Sequence, residues 1–210
     1  MPKHAGMTAH FLALWMALCF LAPPECFCIA GTQSASGGLT KAAALSCDAK
    51  VKALESYAGA PVKGKERITR ISETEMNSYL AFILKPSFHP SLSSLTLRFE
   101  AGHIQGTARI DFDKLQFKSA QVLSGLMRAM LSGVHTLTVR GILVAKEGKA
   151  HFQLEEASFD TVTLPNFLVS EIISAVGRRQ DPPFDPVKPN VMPYGIQKAE
   201  IHLQYILLYQ

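Results

Sequence analysis

Apolar and polar residues alternate over residues 92–113, which is the pattern of β-strands that bury only one face. A short segment that contains Gly102 interrupts this alternation. Two alternating runs on either side of such a turn predict an antiparallel hairpin with one buried face and one solvated face. The apolar side is predicted to carry Leu95, Leu97, Phe99, Ile110 and Phe112.

The alternating pattern returns further along the chain. Residues 135–164 alternate on both sides of a turn at 147–149 and predict a second, longer hairpin that buries Phe152. Residues 196–210 alternate up to the C-terminus and predict a single closing strand, and a weaker alternation in residues 67–71 predicts a short first strand. The buried row of the closing strand is predicted to be Ile201, Leu203, Tyr205 and Leu207.

Between the first strand and the first hairpin, apolar residues recur every three or four positions, as they do on one face of an α-helix. Ser72 and Glu75 have the spacing of a capping box, and Pro86 ends the pattern. We therefore predict a helix that packs on another element, with Asn77 off its apolar stripe. The stripe consists of Met76, Tyr79, Leu80, Ile83 and Leu84.

Three further segments complete the pattern. Residues 39–61 predict an alanine-rich helix that ends at Gly59, and residues 119–133 predict an amphipathic helix whose stripe includes Leu126 and Met130. Residues 165–176 predict a helix that buries Val169, Ile172, Ile173 and Val176. A proline-rich segment, 178–194, predicts an extended loop that borders the apolar surface with Phe184, Met192 and Tyr194.

Hairpins combined with amphipathic helices predict an α+β fold in which long antiparallel strands form the sheet and the helices lie against its apolar face. We assign residues 31–64 to a flexible leader and the N-terminal helix, and residues 65–210 to a single α+β domain. The chain of 210 residues is long enough for one substantial core.

The first thirty residues differ from the rest of the chain. Lys3 precedes an apolar run of eleven residues, 11–21, which is shorter than the roughly 20 residues that span a bilayer. This pattern predicts a signal peptide cleaved after Ala30 and a protein exported to the periplasm or cell envelope, with an uncleaved anchor as the alternative. Cleavage would leave Cys47 as the sole cysteine, which excludes an intramolecular disulfide.

The net charge of +4 is concentrated in residues 41–70, which contain seven basic and three acidic residues. A solvated basic face and contact with an anionic membrane surface both fit this charge. The segment lacks interleaved aromatic residues, so we expect no nucleic-acid partner. The basic residues proposed for membrane contact are Lys50, Lys52, Lys63, Lys65, Arg67 and Arg70.

No sequence motif for catalysis is visible. The chain has no nucleophile elbow, P-loop, zinc-protease motif or dinucleotide fingerprint, and its histidines show no metal-ligand spacing. We therefore predict a protein that is not an enzyme, with no catalytic residue, no metal site and no cofactor.

Three stretches carry a resemblance to a known family. The segment "ISETEMNSYLAF", together with "AGHIQGTARIDFD" and "VRGILVAKEGKAHFQLEEASF", resembles bacterial envelope proteins of the YceB-like and LmeA-like type. Those proteins are similar to the tubular lipid-binding (TULIP-like) class, although this chain lacks their lipid-attachment motif. The resemblance implies an apolar groove between a curved sheet and a long helix, which would bind a lipid or another apolar small molecule.

The groove implied by this resemblance would be lined by the inward residues of the predicted elements. Met and Phe linings also suit an adaptable ligand site, although the same residues would equally fill a packed core. The alternatives are a structural or assembly protein of the envelope with a fully packed core, and a hydrolase with an unrecognised site. The predicted lining is Met76, Tyr79, Leu80, Ile83, Leu97, Phe99, Ile110, Phe112, Leu126, Met130, Phe152, Ile172, Val176, Leu203 and Tyr205.

Overall fold

Two antiparallel sheets and three α-helices form the framework of the described part of the chain. The structure is a computed structural model, and it describes residues 38–60, 66–114, 132–160, 162–163, 165–178 and 183–210. For Val176 only the backbone is described. The helices are α1 (Lys41–Gly59), α2 (Glu73–Tyr79) and α3 (Asn166–Gly177). The strands are β1 (Ile68–Ser72), β2 (Leu92–Phe99), β3 (Ile104–Asp111), β4 (Val134–Lys146), β5 (Lys149–Phe159), β6 (Val162–Thr163), β7 (Asn190–Val191), β8 (Lys198–His202) and β9 (Tyr205–Tyr209).

The larger sheet has six strands in the order β2-β3-β4-β5-β6, with β7 paired to the other end of β5. The smaller sheet has the order β1-β9-β8, and every pairing in both sheets is antiparallel. The predicted α+β class with a long antiparallel sheet is therefore confirmed.

The two predicted hairpins form as the alternation indicated. In β2 and β3 the predicted inward residues are buried, and Phe112 is buried in the 3₁₀ turn Phe112–Lys114. Between β4 and β5 the central turn residues Glu147 and Gly148 both have positive φ (52° and 72°). Positive φ at both positions matches the twist of the flanking strands, which is why this short turn closes the longer hairpin.

A row of hydroxyl residues crosses the larger sheet on the face opposite its apolar row, and two of them, Thr138 and Ser158, are buried. The registers of four successive strand pairs place one hydroxyl residue of each strand opposite the next. Cross-strand pairs of this kind add a few tenths to about 1 kcal/mol each. They also fix the register, because a slip by one residue would turn the apolar row to this face. The row is Thr96, Thr107, Thr138, Ser158 and Thr163.

The predicted capping box starts α2. The Ser72 hydroxyl accepts a hydrogen bond from the Glu75 amide (3.2 Å), and the Glu75 carboxylate accepts one from the Ser72 amide (2.9 Å). After α2 the chain continues as a π-helical turn, Leu80–Leu84, and then as a 3₁₀ turn, Lys85–Ser87. The predicted helix is therefore confirmed at its start, but only its first two turns are regular.

Asn77 was predicted off the buried stripe, and this was wrong. Its side chain reaches the edge of β2 that faces away from β3, where its amide donates to the Leu97 carbonyl and accepts from the Leu97 N–H, both at 2.7 Å. The Glu73 carboxylate accepts from the Phe99 N–H in the same way (2.7 Å). Together the two side chains satisfy backbone groups at this edge of β2, much as a neighbouring strand would.

The single closing strand predicted for residues 196–210 was also wrong. The chain turns at Leu203 and Gln204, where Gln204 has φ 67°, so the segment forms the hairpin β8–β9. The turn shifts the phase of the buried row to Ile206 and Leu208, and it leaves Leu203 65% exposed. Ile201 and Leu207 are half-buried.

The remaining helices contribute to one common core. In α1, Cys47, Val51 and Leu54 are buried, and in α3 the predicted residues Val169, Ile172 and Ile173 are buried, which confirms that face. Phe184, Met192 and Tyr194 of the proline-rich segment join the same apolar cluster instead of bordering it. No helix in the described part of the chain is long and apolar enough to cross a membrane. The predicted signal peptide lies outside the described residues, as do residues 119–131 of the helix predicted at 119–133; its last two residues, Ser132 and Gly133, are described and are not helical.

Candidate apolar site between the sheet and the helices

Nine of the fifteen predicted lining residues meet in a single apolar cluster between the larger sheet and the helices. Ile83 is partly buried and packs against this cluster. Leu203 and Tyr205 do not join it, because they lie at the turn and on the half-exposed face of the smaller sheet, which corrects both predictions. Leu126, Met130 and the side chain of Val176 lie outside the described residues. The nine are Met76, Tyr79, Leu80, Leu97, Phe99, Ile110, Phe112, Phe152 and Ile172.

The sheet side of the cluster is shaped by a β-bulge. The register between β4 and β5 shifts between Arg140 and Gly141, so that Glu155 is the extra residue. A Cβ atom at Gly141 would lie 2.6 Å from Cζ of Phe152, closer than any real contact, and would also clash with the Gln153 carbonyl. Glycine at this position therefore lets the Phe152 ring lie directly over the backbone of β4.

The helix side is formed by α2 and the π-helical turn that follows it. Leu80 and Leu84 are buried, whereas Phe82 on the other side of the same turn is 43% exposed. The Lys85 N–H donates to the Leu80 carbonyl, five residues back, which makes this turn wider than an α-helical turn. Such π-helical turns are rare and occur often at functional sites.

Helix α1 supplies lining residues that were not predicted. Cys47, Val51 and Leu54 lie in the same cluster, and α1 packs against α2, the π-helical turn and β1. Their spacing of three to four positions was visible in the sequence and would have indicated a buried face. Burial raises the pKa of the Cys47 thiol to about 12, with a smaller contribution from Glu75, so the thiol is neutral and unreactive.

Polar contacts fasten α1 to α2 at the margin of the cluster. Nζ of Lys50 lies 2.6 and 2.7 Å from the two carboxylate oxygens of Glu75, and the Ser46 hydroxyl donates to the same carboxylate at 2.6 Å. Burial alone would raise the pKa of Glu75, but the bonds from Lys50, Ser46 and Ser72 outweigh it and lower the pKa to about 2. Glu75 is thus charged at every physiological pH and joins the two helices.

The described basic residues proposed for membrane contact each interact within the chain. Lys50 is paired with Glu75, and Lys52 with an aspartate one helical turn away. Arg67 donates to a backbone carbonyl of α1 (3.1 Å), and the guanidinium of Arg70 lies 4.0 Å from the ring centroid of Tyr205. Outside the described residues lie Lys63 and Lys65.

Within the described ranges, no group of three or more His, Cys, Asp or Glu side chains is arranged to hold a metal ion. The chain was compared with family models, curated proteins and solved structures, and none of them matches it.

Proposed function

We propose that the protein is an exported, non-catalytic binder or carrier of a lipid or a similarly apolar molecule. The ligand would lie between the apolar face of the larger sheet and helices α1 and α2. The π-helical turn Leu80–Leu84 carries the proposal, because it interrupts the helix that faces the sheet at the point where its apolar side chains are deepest.

The chemistry of the lining supports an adaptable ligand site. Met76 is flexible and polarisable, and Phe99 and Phe152 offer large apolar surfaces on the opposite side. Burying an acyl chain is worth about 0.8 kcal/mol per methylene group, so roughly ten groups would contribute about 8 kcal/mol before the costs of association.

The π-helical turn gives the helix a way to adjust its side chains to a ligand. A π-helical turn holds one residue more than an α-helical turn, so a small shift of Leu84 relative to Leu80 changes the space beneath the helix. We expect the side chains at this turn to move when a ligand enters, because they fill the space when it is absent.

Native mass spectrometry of the protein purified from expressing cells under mild conditions tests the proposal. We expect an additional mass that organic solvent extracts as lipid, or uptake of phospholipid added from vesicles. Ile83→Trp, which enlarges the side chain facing the cluster, should reduce uptake strongly. Phe82→Trp, on the exposed side of the same turn, is the matched control and should retain it.

A structural or assembly protein of the cell envelope is the second candidate, and the density of the core favours it. Phe99, Ile104 and Phe152 are each at most 2% exposed, so a ligand must displace side chains in order to bind. A protein that carries no extractable molecule and takes up no phospholipid, with both tryptophan variants folded, would support this candidate and refute the carrier proposal.

A further inference from the structure

His135 lies at one end of the larger sheet, on the same face as the apolar cluster. It stands opposite Ile110 of β3, and its ring centroid lies 4.4 Å from that of Phe159 and 5.9 Å from that of Phe112. Phe112 and Phe159 are themselves in edge-to-face contact at 5.2 Å. The titratable ring of His135 therefore lies at the edge of the apolar face, packed against two phenylalanine rings.

Both nitrogens of the His135 ring face hydrogen-bond acceptors. Nδ1 lies 2.7 Å from Oδ2 of Asp160, and Nε2 lies 2.6 Å from the Ser132 carbonyl oxygen. Only the imidazolium form can donate from both nitrogens; the neutral ring carries one proton and must point one lone pair at an acceptor. The observed geometry therefore fits the charged ring.

The two acceptors are in turn tied to neighbouring strands. The second carboxylate oxygen of Asp160 accepts from the Thr136 N–H (2.8 Å), and the Asp160 N–H donates to the Thr136 carbonyl (2.6 Å). Next to Ser132, the Gly133 carbonyl accepts from the Phe112 N–H (2.9 Å). The ring therefore connects the end of β5, the start of β4 and the turn that follows β3.

The charges around the ring favour its protonated form. Among the described residues, the carboxylates that face it are Asp160, from the turn after β5, and Asp113, from the 3₁₀ turn after β3; Ile110, Phe112 and Phe159 contribute no charge. Burial lowers the pKa of His135, but the bonds to Asp160 and Ser132 and the charges of the two carboxylates outweigh it, and the net effect is a raised pKa. The hydrogen bond with His135 correspondingly lowers the pKa of Asp160.

We propose that His135 is a proton-dependent clamp at the margin of the apolar face. When it is protonated it holds the Ser132 carbonyl and the Asp160 turn together, and when it loses the proton the Ser132 carbonyl separates and the Phe112–Phe159 contact loosens. The further step, that this margin is where an apolar ligand passes, rests on the proposed carrier function.

Amide hydrogen exchange tests the clamp without any ligand. The exchange rates of the Phe112 and Thr136 backbone amides are measured between about pH 5 and pH 8, where histidine titrates. Each rate is divided by the intrinsic rate of an unprotected amide at the same pH, which gives the protection of that amide. We expect the protection of both amides to fall about two- to fivefold as pH rises, the factor that corresponds to a partly exposed ion pair. The amide of Phe99, which bonds to Glu73 at a distant edge, serves as the internal control and should not change.

Substitutions assign the effect to the ring. His135→Gln should abolish the pH dependence at Phe112 and Thr136, while His202→Gln, which removes a histidine from the smaller sheet, should preserve it. If His135→Gln does not fold, the wild-type protein is sufficient for the test. An NMR titration in which the His135 ring signals shift with pH, while the protection of the Phe112 and Thr136 amides stays constant, overturns the clamp.

Uptake of phospholipid from vesicles, measured below and above the pH at which His135 titrates, separates the clamp from the carrier function. Faster uptake above that pH supports both. A titrating clamp with no uptake at either pH refutes the carrier function alone. Uptake that proceeds with pH-independent protection refutes the clamp alone.

Discussion

Asn77 illustrates how a single polar side chain supports the fold from inside. Its amide satisfies both the N–H and the carbonyl of Leu97 at the edge of β2 that pairs with no other described strand. A buried backbone group that loses its partner costs about 1–3 kcal/mol, so such a side chain contributes more than its small size suggests.

We therefore expect Asn77→Ala to lower the free energy of unfolding by about 1–3 kcal/mol, because it leaves both backbone groups of Leu97 without their partner. Chemical denaturation measures this change. Asn166→Ala is the matched control, since Asn166 is exposed and makes one long bond of 3.4 Å to the Glu155 carbonyl; it should change the free energy by less than about 0.5 kcal/mol. Equal effects of the two substitutions would contradict the assigned role.

Glu75 makes the free energy of unfolding depend on pH. Its pKa is about 2 in the folded protein and near 4.5 in an unfolded chain, so the charged form stabilises the fold above pH 4.5, and this contribution is lost as pH falls from about 4.5 to about 2. Glu75→Gln should flatten the stability profile in that window. Glu171→Gln, at a glutamate that is 71% exposed, should leave the profile as in the wild type, as checked by thermal unfolding across pH.

At the scale of elements, the periodicity of apolar residues and the helix-capping residues were sufficient to predict the two long hairpins, α1, the start of α2, and α3. They failed at the C-terminus because a turn at Leu203 and Gln204 leaves the apolar–polar alternation unbroken, so periodicity cannot distinguish one strand from a hairpin. The burial of Asn77 was also not predictable from the sequence. A polar residue type predicts an exposed side chain, and only the position of the β2 edge explains why this one is buried. The nine clustered lining residues were predictable because each belongs to an apolar period that is visible in the sequence, although Phe112 and Leu80 lie in a 3₁₀ turn and a π-helical turn.

The hairpin β8–β9 predicts opposite outcomes for two leucines. Leu208 is 2% exposed, so Leu208→Ala should lower the free energy of unfolding by about 2–5 kcal/mol. Leu203 is 65% exposed at the turn, so Leu203→Ala should change it by less than about 0.5 kcal/mol. Denaturation curves of the two variants measure this, and a larger loss for Leu203→Ala would instead support a single continuous strand.

At the scale of the whole molecule, α1 belongs to the same core as the sheets, although the sequence suggested a leader and helix set apart from a domain that begins at residue 65. Leu54 of α1 is completely buried, and its carbonyl accepts a hydrogen bond from the side chain of Gln210, whose amide also donates to the Tyr194 carbonyl. The contact between Leu54 and Gln210 joins residues that are 156 positions apart in the sequence. These contacts favour a single cooperative unit over a helix that folds independently.

We accordingly expect α1 and the larger sheet to unfold together. Hydrogen exchange in increasing, sub-denaturing concentrations of denaturant should give the same opening free energy for the amides of Val51 in α1 and Val139 in β4, since both are buried in the common core. Gln210→Ala removes the bonds from this side chain to Leu54 and Tyr194, and should lower both free energies by the same amount. A lower opening free energy for Val51 alone, in the wild type or in this variant, would show that α1 unfolds separately, and would place the boundary of the cooperative domain after this helix.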